Sequence, residues 1–172
     1  MKPDDAEYLS FVTARYRTLV RAAVLFGCSR QDAEDAVQDT LIRCYSGWSR
    51  VVAADDRDAY VYRILVNGIS RSRRRRWRGE LPHGEVPEPA AVEDPAADVV
   101  LSQSVHAALG RLGPDQRQVV VLRYFADLSE AQISRVLGIR PGTVKSRASR
   151  ALVALGADTS LAALSHPSQE TP

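Results

Sequence analysis

Apolar residues recur every three or four positions along most of the chain, and no stretch alternates long enough to read as a strand. In the first third, Tyr8/Leu9, Val12, Tyr16, Leu19/Val20 and Ala23/Val24 predict one helix, stopped by Gly27. Ser29, with Asp32 three residues on, opens a second helix with the stripe Ala33, Ala36/Val37, Thr40/Leu41, Cys44/Tyr45 and Trp48. "RVVAADDRD" (Arg50–Asp58) reads as a loop. A third helix is expected from about Arg57 to Arg78, with Val61, Ile64/Leu65 and Gly68/Ile69 turned inward. Its apolar stripe ends near Ser70, where "RSRRRRWR" begins. A core cannot hold six arginines, so this end must project into water or onto a polyanion.

The pattern lapses over 79–100. "GELPHGEVPEPAAVEDP" carries four prolines and no helical period, as a flexible linker would. It resumes with Val105, Leu109 and Leu112, then with a helix from Pro114, a residue suited to the first helical position. Ser129 and Gln132 have capping-box spacing, and Leu128 with Ile133 fits a hydrophobic staple. That short helix ends at Gly138. A tight turn leads to a last helix from Pro141, and helix, short turn, helix is a helix-turn-helix pattern. Val144, Ala148, Ala151/Leu152 and Leu155 should face the core of this lobe. The expected fold is all-α: two small helical domains at 1–78 and 101–156, a linker at 79–100 and a disordered tail at 157–172.

Charge sharpens this division. Residues 1–78 hold 15 Lys/Arg against 10 Asp/Glu, 79–100 hold six acids and no base, and 101–172 hold eight bases against five acids. Two basic blocks around an acidic joint point to a polyanion partner at both ends. No apolar run approaches the roughly 20 residues of a membrane span, and the polar start is unlike a secretory signal. The expectation is therefore a soluble cytoplasmic protein without membrane insertion. Cys28 and Cys44 sit in apolar helical patterns and read as buried thiols; no metal or cofactor is expected.

On the last helix, Thr143, Ser146, Arg147 and Arg150 lie opposite the apolar stripe, with Lys145 on the flank. Arg can pair bidentately with guanine edges, while Ser, Thr and Lys reach bases or phosphates, so this face suits a major groove. An ordinary basic surface helix is the plainer reading, and the capped helix and turn before it weigh against that. Arg140 falls at the N-cap, where Arg is a poor capping residue. It is expected to reach a phosphate instead.

These residues carry a resemblance. "LGRLGPDQRQVVVLRYFADLSEAQISRVLGIRPGTVKSRASRALVAL" resembles region four of sigma-70 family transcription initiation factors. "DAEDAVQDTLIRCYSGW" and "AYVYRILVNGISRSRRRRWR" resemble region two. With two regions and a short linker, the chain is similar to an extracytoplasmic-function (group four) sigma factor of an actinobacterial subgroup.

The resemblance implies a non-enzymatic protein that binds core RNA polymerase, directs it to promoters and helps melt the DNA. Asp35, Gln38, Asp39 and Arg43 would meet the polymerase, chiefly the beta-prime clamp, with the beta subunit also implied as a partner. Tyr60, Asn67 and the basic residues Arg71, Arg73, Arg74 and Arg75 would meet the minus-ten element. Tyr60 could equally be core, and the arginines a solvated helix end. Arg140, Thr143, Lys145, Ser146, Arg147 and Arg150 would meet the minus-thirty-five element. An anti-sigma factor is an implied partner.

Three positions depart from the family pattern: Gln132 stands where many relatives have Glu, Arg140 where many have Ser, and Arg71 where Asp is usual. The 22-residue linker, at most roughly 70 Å extended, can just bridge elements separated by roughly 55–70 Å of duplex. Its acidity would mimic nucleic acid inside the polymerase. A stand-alone dimeric helix-turn-helix regulator is the alternative. It leaves "AEDAVQDTLIRCY" without a role.

Overall fold

The computed structural model describes residues 3–77 and 97–158; the expected linker from 79 to 96 and the tail from 159 lie outside the described residues. Among the described residues the secondary structure is entirely helical. The order is α1 (Pro3–Leu25), α2 (Arg30–Ser46), α3 (Trp48–Val52), α4 (Arg57–Trp77), α5 (Ala97–Arg111), α6 (Pro114–Val120), a π-helical turn (Val121–Phe125), α7 (Glu130–Leu137) and α8 (Pro141–Gly156).

Local chemistry explains most boundaries. Gly27 takes φ +91° after α1, a conformation that L side chains resist. The Ser29 hydroxyl accepts from the Asp32 amide at 3.1 Å and caps α2. Asp56 does the same for α4 through the Ala59 amide, at 3.0 Å. At α7 the capping box is complete: Ser129 receives the Gln132 amide, and the Gln132 side chain receives the Ser129 amide. Gly138 ends α7 in the left-handed region at φ +65°.

Differences from the sequence pattern have physical causes. The expected loop at 50–58 begins with a short helix, because Trp48 and Val51 both bury there. Helix α5 begins at Ala97, inside the stretch read as linker. In apolar doublets, adjacent residues point about 100° apart, so one partner is left outside. Leu9, Tyr45 and Leu152 are exposed for this reason, while Tyr8, Cys44 and Ala151 turn inward. Val105 is also exposed. Tyr45 instead lays its ring 4.9 Å from that of Tyr8 and donates its hydroxyl to Asp5. Val119, Val120, Val121 and Leu122 are all buried, so this segment is central to its lobe and packed on most sides. Cys44 is buried, and desolvation pushes its thiol up to about 11, which suits packing rather than reactivity. Cys28, expected buried, is half-buried.

The two lobes do not stand apart. Buried residues of α1–α4 and α5–α8 form one contiguous core. Arg21 of α1 lies over the Phe125 ring at 5.4 Å. His106 of α5 hydrogen-bonds the Val24 backbone, and burial lowers its pKa.

Candidate nucleic-acid interface

Helix α2 buries Ala33, Val37, Thr40, Leu41 and Cys44 and so turns its other side outward. Asp35, Gln38, Asp39 and Arg43 are all exposed. They share that side with Ile42, an exposed apolar residue. An acidic wall formed by Asp32, Asp35 and Asp39 faces the basic end of α4 across an open groove lined there by Arg71, Arg73, Arg74 and Arg75. The first lobe thus sets an anionic face beside a cationic one.

On α4, Tyr60 is half-buried against the core, so it contributes to packing. Asn67 is exposed. Arg71 and Arg74 each donate Nε to the backbone carbonyl four residues earlier, at 3.2 and 3.3 Å. Both remain exposed, as does Arg75. Arg73 differs. Its Nη2 donates to the Phe26 carbonyl at 2.6 Å and ties α4 to the end of α1.

In the second lobe, α8 buries Val144 and Ala151. Lys145, Ser146 and Arg150 are exposed and Thr143 is half-buried. Ser146 donates to the Thr143 carbonyl at 3.1 Å, and Arg150 Nε to the Ser146 carbonyl at 3.2 Å. Arg147 is held by Asp115 of α6 at 2.5 Å, so its guanidinium is positioned before any ligand arrives. Sequence spacing does not show that pairing, because Asp115 is 32 residues away.

Arg140 occupies the α8 N-cap in extended backbone conformation and makes no side-chain cap hydrogen bond. Replacing it with Ser is expected to stabilise the lobe by roughly 1 kcal/mol. DNA affinity should fall at the same time. Thermal unfolding paired with a gel shift checks both; unchanged or tighter binding would remove the phosphate role.

Asp56 and Arg135, to which periodicity assigns no role, meet Gln132 of the capping box where the lobes join. Asp56 receives Gln132 Nε2 on Oδ2, and Arg135 Nη2 lies 3.6 Å from the same oxygen. Arg117 of α6 reaches against Gly27, where a Cβ would collide with its guanidinium, and beside Arg73. Desolvation and the Arg73 charge both lower the Arg117 pKa, and its Nε is buried with no hydrogen-bond partner among the described residues. Long-range pairs of this kind carry no periodic signal in the sequence.

Comparison with known proteins matches both lobes in chain order. Residues 11–79 match the model for Sigma-70 region 2, and 102–155 match Sigma-70, region 4. A protein named RNA polymerase sigma-E factor from Streptomyces avermitilis is 34% identical over 152 residues, covering 87% of this chain and 83% of that protein. The chain belongs to the sigma-70 family. Its relatives place it with the extracytoplasmic-function sigma factors: one so named, SigM of Mycobacterium tuberculosis, is 34% identical over 79% of this chain and 68% of its own. The solved sigma factor RpoE of Bartonella quintana, in complex with the anti-sigma factor NepR, superposes with a TM-score of 0.76 at 26% identity. That match covers 91% of this chain and 97% of the other. None of the described helices is long and apolar enough to cross a membrane.

Proposed function

We infer that this sigma-70 family protein binds core RNA polymerase and directs it to promoters, and that it acts by binding rather than by catalysing a reaction. The observation that carries this is the pair of family regions in one chain and in order, at 11–79 and 102–155. A dimeric helix-turn-helix regulator would account for the second match and leave the first without a purpose. In this reading the exposed Asp35, Gln38, Asp39 and Arg43 of α2 meet the polymerase. Asn67, Arg71, Arg74 and Arg75 of α4, with Tyr60 behind them, meet the minus-ten region. The outward face of α8 meets the minus-thirty-five region: Arg140, Thr143, Lys145, Ser146 and Arg150, with Arg147 braced by Asp115. Arg73 combines an anchoring role with its contribution to the positive field. A polymerase subunit of this kind works in the cytoplasm. The solved relative is bound to an anti-sigma factor, and a partner of that class fits this chain as well.

The test is gel filtration of the purified chain with bacterial core polymerase in the absence of DNA. Co-elution is expected. Asp35→Arg places a cation where the polymerase meets an acid and should weaken co-elution by tenfold or more, since opposing like charges across an interface cost several kcal/mol. Gln38→Ala should weaken it less. Failure of the unmodified chain to co-elute, with DNA binding by the chain alone, would favour the regulator.

A further inference from the structure

We propose that Asp115 is a specificity-determining residue for DNA recognition, acting through Arg147 of α8. The proposal rests on the sigma-factor reading. Arg147 differs from its basic neighbours on the same helix. Lys145 and Arg150 are exposed, and Arg150 turns its Nε back to the Ser146 carbonyl. The Arg147 side chain is 23% exposed, and its Nη2 lies 2.5 Å from Asp115 Oδ2 at the start of α6. The carboxylate therefore fixes the guanidinium against a second helix, beside the residues of α8 that face outward.

Tying the helices together does not account for this pair. Helices α6 and α8 pack on one another, and Val119, Val120, Val144 and Ala151 are buried in the core. The far end of α8 is held separately, where Arg111 forks onto Asp158 at 2.6 and 2.7 Å. Asp158 has 9% of its side chain exposed, as suits an anchoring acid, whereas Asp115 is 66% exposed. An ion pair open to water on its acidic side contributes little to stability. It does restrict where a long side chain can point, and Arg is otherwise rich in rotamers.

Two effects on DNA follow. A fixed guanidinium loses little freedom on meeting a guanine edge placed where it already points. It gains less from a phosphate elsewhere, because reaching that phosphate breaks the pair. The exposed Asp115 carboxylate also stands beside this face and repels phosphates that crowd it, and discrimination can come from such a repulsive element. Asp115 thus raises discrimination between sequences while lowering indiscriminate affinity. A basic face without it would grip any duplex more evenly.

The test uses the full chain with core polymerase and a duplex pool randomised over about ten base pairs, one turn of groove. Sequencing the bound fraction reads base preference, and a salt titration on one duplex of arbitrary sequence reads indiscriminate affinity. Asp115→Asn should reduce the preference at one base pair by roughly five- to a hundredfold, the discrimination of a good bidentate pair. Its affinity for the arbitrary duplex should rise, with a salt slope steeper by about 0.9 for the phosphate that Arg147 then reaches. Asp115→Glu keeps the carboxylate and should retain most of the preference. The Asp115 charge also favours the start of α6. The asparagine substitution is therefore repeated in an Arg147→Gln background, where it should change base preference no further. Unchanged preference in Asp115→Asn overturns the proposal, and so does a further loss in the Arg147→Gln background. If the unmodified chain does not bind core polymerase, the sigma-factor reading falls instead, and the same pool run on the chain alone still decides whether Asp115 acts through Arg147.

Discussion

Alanine at Arg71, Arg74 and Arg75 together is expected to lower the DNA affinity of the polymerase-bound protein by on the order of a hundredfold at 0.1 M salt. Each lost phosphate contact removes about 0.7–0.9 from the slope of log affinity against log salt. Three should make that slope shallower by about two to three. The argument is geometric as well as electrostatic. Arg71 and Arg74 spend one nitrogen on their own helix, which fixes the root of each side chain, and both remain exposed. Arg75 is exposed beside them. Arg73 is kept out of the substitution because it holds the Phe26 carbonyl, and its loss would confuse a binding defect with a folding defect. A salt titration on forked DNA of arbitrary sequence measures the slope. A slope equal to that of the unmodified protein would show that these arginines touch no phosphate.

Ile133→Ala should cost about 2–5 kcal/mol of stability, the range for a buried Ile reduced to Ala. Ile133 is fully buried in α7, within the same core as Leu128. It lies in the single core that both lobes share, so urea unfolding should shift as one transition rather than in the second lobe alone. The consequence for function is selective. A loosened α7 no longer supports α8, so minus-thirty-five recognition should weaken most. The α2 face is built on Val37, Leu41 and Cys44 and should keep its hold on polymerase in the remaining folded fraction. A midpoint shift below 1 kcal/mol would mean that the site collapses around the smaller side chain.

The sequence made the local devices legible. Ser29, the Ser129–Gln132 box, Gly27, Gly138 and Pro141 each act through neighbours within a few residues, and each stands where periodicity placed it. The outward residues of α2 and α8 were legible for the same reason, since a helix sorts its faces by a fixed angle. Short apolar runs misled where two adjacent residues competed for one inward position, as at Cys44/Tyr45 and Ala151/Leu152. Contacts between distant segments left no mark. Arg147 with Asp115, Arg73 with Phe26, and Asp56 with Gln132 depend on how helices pack, and packing is a property of the whole core. The π-helical turn at Val121–Phe125 was equally hidden. It closes with an Ala126-to-Val121 hydrogen bond of 3.0 Å inside what reads as a continuous helix.

Asp56 carries one further consequence, for how such a protein can change over evolutionary time. One oxygen of its carboxylate sets where α4 begins, and the other sets how the second lobe rests. A substitution at Asp56 that removes its contact with the Ala59 amide also removes its contacts with Gln132 and Arg135. The start of α4 and the seating of α7 are therefore inherited together at this position. A lineage that changes one must restore the other through a second substitution, and Gln132 and Arg135 are where that compensation is to be sought.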